Sequence, residues 1–212
     1  MAAITEDYQR TFSKEEVNSL PLFRYEGPVT VVRTREELAA AFERIRAERL
    51  LGFDTESKPN FRKGVVNSPT LMQIACSNEV FLIQLNWVPF NGEMASFLAS
   101  SDNIKTGVAI GDDIRLLNKL YPFTADGLVD LRDVARTKGL STRGLRTLAA
   151  NFLHMRISKS AQCSNWGNKE LSPQQIIYAA TDAWVSRLIY ERMSELGFFA
   201  EDTTFCIEPG DE

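Results

Sequence analysis

Short apolar runs alternate with amphipathic segments along most of the chain. The apolar runs are bounded by turn-forming residues, which predicts strands, at 29–33, 50–56, 70–76, 79–85, 104–110 and 128–131. Helical spacing of apolar positions predicts helices, at 34–49, 92–99, 112–120 and 145–153, with a long final helix after residue 172. Because strands come first and strand–helix alternation follows, the pattern predicts a single α/β domain with a mixed sheet flanked by helices.

Polar residues mark the predicted helix ends. Thr34 and Glu37 have the spacing of a capping box at the start of the first long helix. Ser172 has the properties of an N-cap and Pro173 those of a first helical residue, while Gly197 follows the last periodic position. The final helix is therefore the most clearly delimited element of the sequence.

The chain divides into three predicted segments without a Pro/Gly-rich linker between them. Residues 1–28 form an N-terminal arm with one short helix, whose start is marked by Ser13 and Glu16. Residues 29–196 form the domain, and residues 197–212 form a tail with five acids and no base.

Composition places the chain among ordinary globular proteins. Hydrophobic residues make up 44% of its 212 residues, charged residues 25%, and the net charge is −4. Three cysteines and one histidine argue against a zinc site. No signal-peptide pattern and no apolar run of about 20 residues is present, so the sequence predicts a protein without membrane attachment. We expect a cytoplasmic location, or a nuclear one if the source is eukaryotic.

Positive charge is concentrated in one part of the chain. Between Arg132 and Lys169 there are eight Lys or Arg residues and a single acid, Asp133. Such a segment on an acidic chain indicates a polyanionic partner that binds on one side. A solvated helical face gives the same pattern and, from charge alone, is the preferred interpretation.

Two carboxylates end the predicted strand at 50–56. Asp54 and Glu56 are two residues apart, so they project from the same face of the strand with an axial separation of ~6.6 Å. Hard divalent cations such as Mg²⁺ and Mn²⁺ bind oxygen ligands of this kind. Most such pairs are merely solvated, and the pair alone does not establish a metal site.

A third acid follows the strand at 104–110, where Asp112 and Asp113 begin a predicted helix. Aspartate at a helix start commonly caps the helix or interacts with its dipole. This position alone therefore does not distinguish a structural acid from a functional one.

The final helix carries a fourth acid. Tyr178 and Asp182 are four residues apart and so share a helix face, while Ala179, Ala180 and Ala183 are small enough for close approach to a neighbouring sheet. An aspartate in this apolar surrounding is unfavourable unless it is paired or ligated. The alternative is an exposed Asp182 on a polar face of the helix.

Taken together, three motifs resemble those of the DEDD exonuclease superfamily. They are FDTE at 53–56, TGVAIGDD at 106–113 and YAATD at 178–182, in this order. A tyrosine four residues before the last aspartate resembles the DEDDy branch. Over residues 29–196 the chain most resembles the exonuclease domains of Werner-type helicases and the stand-alone Werner-like exonucleases, and more distantly ribonuclease D.

The resemblance implies an RNase H-like fold and a two-metal 3'-5' exonuclease that uses Mg²⁺ or Mn²⁺ and releases nucleoside 5'-monophosphates from a free 3' end. It implies that Asp54 bridges both ions and that Glu56 and Asp182 hold the ion carrying the nucleophile. Family spacing selects Asp113 over Asp112 as the remaining acid, acting through water. Tyr178 would orient the attacking water.

Five further residues are predicted substrate contacts: Thr55, Ser57, Arg143, Arg146 and Trp166. The Ser57 hydroxyl suits a bond to the terminal sugar, although a plain turn residue fits that position equally well. Arg143 and Arg146 suit upstream phosphates, and Trp166 suits stacking on a base.

The substrate class stays open at the level of sequence. DNA is slightly favoured over RNA, as a single strand or as the 3' terminus of a duplex. The alternatives are an exonuclease of ribonuclease D type that trims RNA or degrades short oligoribonucleotides, and a catalytically silent nucleic-acid-binding module. The N-terminal arm is also a candidate site for a protein partner.

Overall fold

The computed structural model describes residues 8–59, 67–199 and 204–207. Within these ranges seven strands form one sheet in the spatial order β1-β4-β3-β2-β5-β6-β7. Their bounds are β1 (Val29–Val32), β2 (Leu50–Ser57), β3 (Pro69–Ala75), β4 (Val80–Gln84), β5 (Ile104–Gly107), β6 (Ala125–Asp130) and β7 (Phe205–Ile207).

The sheet is mixed, as the sequence predicted. Strands β2, β3 and β4 pair antiparallel, whereas β1 pairs parallel with β4, and β2, β5 and β6 run parallel to one another. β7 closes the other edge antiparallel to β6. The prediction of a single α/β domain with a mixed sheet flanked by helices is confirmed, and β2 lies at the centre of the sheet.

The helices begin where the capping residues predicted. Ser13, Thr34 and Ser172 each cap a helix through a reciprocal capping box. The helices of the described residues are α1 (Lys14–Ser19), α2 (Arg35–Ile45), α3 (Gly92–Leu98), α4 (Ile110–Leu120), α5 (Leu131–Thr137), α6 (Leu145–Leu153) and α7 (Pro173–Glu195). No helix of this part of the chain is long and apolar enough to cross a membrane.

Two predicted elements are shorter in the structure than in the sequence interpretation. The strand predicted at 104–110 ends at Gly107, because Ala109 adopts a left-handed conformation with φ of 64° and α4 begins at the next residue. The helix predicted at 34–49 ends at Ile45. Element types are correct in both cases, and only the boundaries differ.

The segments predicted as arm and tail both contact the domain. Leu22 of the arm forms a β-bridge with Arg156, and Tyr8 stacks on Phe152. Strand β7, which the sequence did not predict, lies within the expected tail at 197–212. Residues 1–7 of the arm, and 200–203 and 208–212 of the tail, lie outside the described residues.

Alternating residues of the central strands build a core on each face of the sheet. Leu51 and Phe53 of β2 are fully buried in the cluster that α2, α3 and α4 cover. On the opposite face, Ala179 and Ala183 of α7 pack against the sheet. Since successive strand residues point to opposite faces, Asp54 and Glu56 project toward the face that α7 covers.

Candidate active site

Helix α7 lies unusually close to β2. A methyl group at Gly52 would overlap the carbonyl oxygen of Ala183, so only glycine permits this approach. Ala179, Ala180 and Ala183 are fully buried in the same contact. The small residues of α7 predicted a close approach to the sheet, and this contact carries Asp182 and Tyr178 into the cleft that Asp54 and Glu56 line.

The turn before α4 determines which of its two aspartates faces the other acids. The backbone N–H of Ala109 donates to Asp130 at 2.9 Å, which fixes the left-handed residue from which the helix starts. Asp113 accepts a hydrogen bond of 2.6 Å from the hydroxyl of Thr55 on β2. The Asp112 side chain is 81% exposed and pairs with Arg115 at 3.2 Å. Asp113, not Asp112, therefore adjoins the acidic strand.

Burial raises the pKa values of all four carboxylates, and repulsion from the other acids of the site adds to the rise at Asp54 and Glu56. Burial, with added repulsion from the other three acids, raises the pKa of Asp54 well above its ordinary value. Burial and the charges of Asp182 and Asp113 raise the pKa of Glu56 to about 9. Burial also raises the pKa of Asp182 to about 7 and that of Asp113 to about 6. This arrangement is unfavourable unless protons or cations neutralise it.

The donor set fits hard divalent cations. All of its ligating atoms are carboxylate oxygens, which Mg²⁺ and Mn²⁺ prefer. Oδ1 of Asp182 is buried and has no hydrogen-bond partner, so it is available as a ligand. Among the described residues, no three His, Cys, Asp or Glu side chains have the close spacing of a preformed metal site. The acids are thus of the right chemical type for cations, with a spacing wider than that of a closed coordination shell.

Tyr178 is a hydrogen-bond donor in this site. Burial, reinforced by the charges of Asp182 and Glu56, raises the pKa of its hydroxyl far above the ordinary value. The phenol therefore stays protonated and donates to the carboxylate of Asp182, which opposes the upward shift of that acid's pKa. It is suited to orienting a water molecule and unsuited to acting as a base.

Asp54, Glu56 and Asp182 lie in a cleft of about 600 Å³ that is also lined by bases. Arg132 and Arg146 belong to the basic segment found in the sequence, as does Lys159, and Lys14 comes from the N-terminal arm. Acids and bases in one cleft suit a substrate that combines a reacting phosphate with further backbone phosphates.

Two of the five predicted substrate contacts line this cleft, Thr55 and Arg146. The Thr55 hydroxyl is already engaged with Asp113, and Nε of Arg146 donates to the carbonyl of Ile157. Sequence reasoning missed the bond from Thr55, because strand alternation places this residue on the face opposite Asp54.

The other predicted contacts lie elsewhere. Ser57 ends β2 and Arg143 donates to the carbonyl of Leu140, and neither is among the residues that line the cleft. The proposed stacking role of Trp166 is wrong in this conformation, because its side chain is 1% exposed. Its ring packs against the ring of Tyr178 with centroids 5.9 Å apart, so Trp166 supports the position of the tyrosine ring.

Known proteins are similar to this chain in sequence and in fold. A family model described as 3'-5' exonuclease matches residues 29–197. The Mus musculus bifunctional 3'-5' exonuclease/ATP-dependent helicase WRN is 27% identical over 206 residues, which is 92% of this chain and 14% of that protein. An Arabidopsis thaliana 3'-5' exonuclease is 27% identical over 201 residues, which is 87% of this chain and 69% of that protein.

Solved structures with low sequence identity share the fold. The catalytic core of RRP6 from Trypanosoma brucei has a TM-score of 0.74 at 19% identity, covering 90% of this chain and 54% of that one. Escherichia coli RNase D has a TM-score of 0.67 at 21% identity, covering 80% of this chain and 45% of that one. Because the family model spans six of the seven strands, the acids and the final helix, this chain belongs to the 3'-5' exonuclease family of enzymes.

Proposed function

We propose that this protein is a metal-dependent 3'-5' exonuclease that hydrolyses terminal phosphodiester bonds of nucleic acid and releases nucleoside 5'-monophosphates. The observation that carries the proposal is the position of Asp54, Glu56 and Asp182, which reach one cleft from a central strand and a facing helix. Family membership supports the reaction class.

Four acids would hold two divalent cations, Mg²⁺ or Mn²⁺. Asp54, Glu56 and Asp182 offer oxygens directly to the cleft, while Asp113 adjoins them through Thr55. Bound there, the cations would activate a water molecule and stabilise charge on the scissile phosphate. Without them the acids repel a phosphate backbone, so activity is expected to require the metal.

The remaining groups of the cleft would position the substrate. The phenol oxygen of Tyr178 would accept a hydrogen bond from the attacking water while the phenol O–H donates to Asp182. Arg132, Arg146 and Lys159 would neutralise phosphates upstream of the reacting one. Because the bases bind phosphates and the acids bind metal, we expect substrate binding to weaken as the salt concentration rises and cleavage to depend on the metal.

A slight preference for DNA is part of the proposal, with RNA as the other candidate. The similar Escherichia coli enzyme is described as an exoribonuclease involved in structured RNA processing, and the similar mouse protein combines an exonuclease with a helicase. Cytoplasmic or nuclear location and recruitment of a protein partner through the N-terminal arm stay predictions.

The test is a time course on 5'-labelled single-stranded DNA and RNA of one sequence, with Mg²⁺, Mn²⁺ or EDTA. We expect metal-dependent shortening from the 3' end, abolished in Asp54→Ala and strongly reduced in Tyr178→Phe. Asp112→Ala is the matched control, since this neighbouring acid faces solvent, and it should retain activity. A folded protein that shortens neither strand with any metal would favour the silent binding module instead.

A further inference from the structure

The N-terminal arm contributes to the cleft although it lies outside the matched family region at 29–197. Phe12, Ser13, Lys14 and Val17 line the same cavity as Asp54. The cavity is thus bounded in part by residues that precede the first strand of the sheet. Nothing in the sequence motifs predicted this contribution.

The arm is fastened to the domain on both sides of these residues. Upstream, Tyr8 stacks on Phe152 with centroids 4.8 Å apart, and the Tyr8 carbonyl accepts a bond of 2.8 Å from Asn151. Downstream, the backbone N–H of Tyr25 donates to Thr181, one residue before Asp182, at 3.0 Å. The segment between these anchors is therefore held against the cleft.

The second anchor is reinforced by backbone hydrogen bonds. The N–H of Phe23 donates to the carbonyl of Arg156 at 2.9 Å, and the N–H of Arg156 donates to the carbonyl of Pro21 at 2.9 Å. The Arg156 side chain adds a bond of 3.0 Å to the carbonyl of Leu20. These bonds attach the arm to the loop that contributes Lys159 to the cleft.

The ring of Phe12 is held in a defined orientation. The guanidinium of Arg10 lies over it, 4.1 Å from the centroid, and pairs with Glu16 at 3.1 Å. Glu16 in turn accepts a bond of 2.7 Å from the backbone N–H of Ser13. A half-buried aromatic ring fixed in this way can stack on a base without losing much conformational freedom.

We propose that the N-terminal arm forms a wall of the substrate cleft, in which Phe12 stacks on a nucleobase upstream of the cleaved bond and Lys14 contacts a backbone phosphate. The proposal rests on the proposed function for the class of ligand, a single strand of nucleic acid. Stacking on an aromatic ring tolerates any base, so this wall would strengthen binding without imposing a sequence preference.

The test separates binding from cleavage. Affinity for a 5'-fluorescein-labelled 12-nucleotide single strand, DNA or RNA, is measured by fluorescence anisotropy in Ca²⁺, and hydrolysis is measured separately in Mg²⁺. The second substrate is the p-nitrophenyl ester of thymidine 5'-monophosphate, which has no upstream nucleotide. Melting temperatures of all variants are compared to confirm folding.

We expect Phe12→Ala and Phe12→Leu to weaken oligonucleotide binding by about tenfold, and Phe12→Trp to retain it. Lys14→Ala should reduce the slope of log affinity against log salt by about 1. Hydrolysis of the p-nitrophenyl ester should be unchanged in all four variants. Tyr121→Ala and Lys119→Ala are matched controls, since these residues of the α4 terminus do not line the cleft.

Unchanged oligonucleotide affinity in both Phe12→Leu and Lys14→Ala would overturn the inference while leaving the exonuclease proposal intact. If the wild type binds the oligonucleotide but never cleaves it, and these variants bind it more weakly, the result would support the wall and contradict the exonuclease proposal. A wild type that binds neither strand would overturn both. Equal losses on the oligonucleotide and on the small ester would show a general effect on folding of the site and would also overturn the inference.

Discussion

Replacing Asp182 by Asn is expected to stabilise the metal-free protein at pH 8 while abolishing its activity. Asp182 is buried, and its Oδ1 has no hydrogen-bond partner. Burial raises its pKa from the ordinary 3.8 to about 7. At pH 8 the folded protein must therefore carry a charge that its surroundings disfavour.

The magnitude follows from linkage between protonation and folding. The rise in the pKa of Asp182 lowers the free energy of unfolding by about 4 kcal/mol at pH 8 when this acid is treated alone. Asn has nearly the same shape and no charge, but a buried amide without a partner loses about 1–2 kcal/mol. We expect a net gain of about 2 kcal/mol, or about 4–8 °C in melting temperature for a chain of this size.

The sign of the pH dependence is opposite to that of a salt-bridged acid. Because the folded-state pKa is raised, the stabilisation from protonated Asp182 is fully present below pH 3.8 and is lost as the pH rises through about 7. The advantage of the Asn variant should therefore grow between pH 4 and pH 8. Thermal melts in EDTA across this range measure it.

Two comparisons control the interpretation. Asp112→Asn alters an exposed acid on the same chain and should leave the pH dependence of stability unchanged. Added Mg²⁺ should stabilise the wild type through preferential binding to the folded state and should stabilise Asp182→Asn much less. If the stability of Asp182→Asn relative to the wild type is the same at pH 8 as at pH 4, or lower, burial does not disfavour the charged acid and the reasoning fails.

Three further predictions concern residues that position the site. Thr55→Val removes the hydroxyl that donates a hydrogen bond to Asp113 and should weaken Mg²⁺ activation about 10- to 100-fold, measured by metal titration of the exonuclease rate. Thr55→Ser should retain the activation, and an equal loss in both variants would contradict the role. Gly52→Ala forces a methyl group against Ala183 and should lower the free energy of unfolding in urea by about 1–3 kcal/mol. Gly111→Ala, where a methyl group makes ordinary contacts, should not lower it, and equal effects of the two substitutions would refute the close approach. Arg146→Glu should weaken oligonucleotide binding and reduce its salt dependence more than Arg143→Glu does, because Arg146 lines the cleft and Arg143 does not. Binding titrations at several salt concentrations measure both effects, and equal behaviour of the two variants would refute the prediction.

Local periodicity explains which parts of the site could be predicted from the sequence. The two-residue alternation of a strand places Asp54 and Glu56 on one face, and the four-residue spacing of a helix aligns Tyr178 with Asp182. The capping residues likewise located the start of α7 at its observed position. These relations depend only on neighbours along the chain, so the sequence determines them.

Contacts between distant segments account for what the sequence left open. The selection of Asp113 depends on a left-handed residue at Ala109 and on a hydroxyl 58 residues away along the chain. Trp166 is buried behind Tyr178 rather than exposed to a substrate, although nothing in its local sequence distinguishes the two environments.

The positions of the arm and of β7 at the two ends of the chain also depend on contacts that the local sequence does not reveal. Phe12 and Lys14 reach the cleft only because Tyr8 and Tyr25 are anchored on helices far along the sequence. The sequence by itself determined the strand and helix types, the order of the motifs and the acids that share a face, since backbone geometry fixes their period. Only the tertiary structure decided how closely α7 approaches β2, which contacts bring Asp113 to the acidic strand and which residues line the cleft, because packing between remote segments sets those distances.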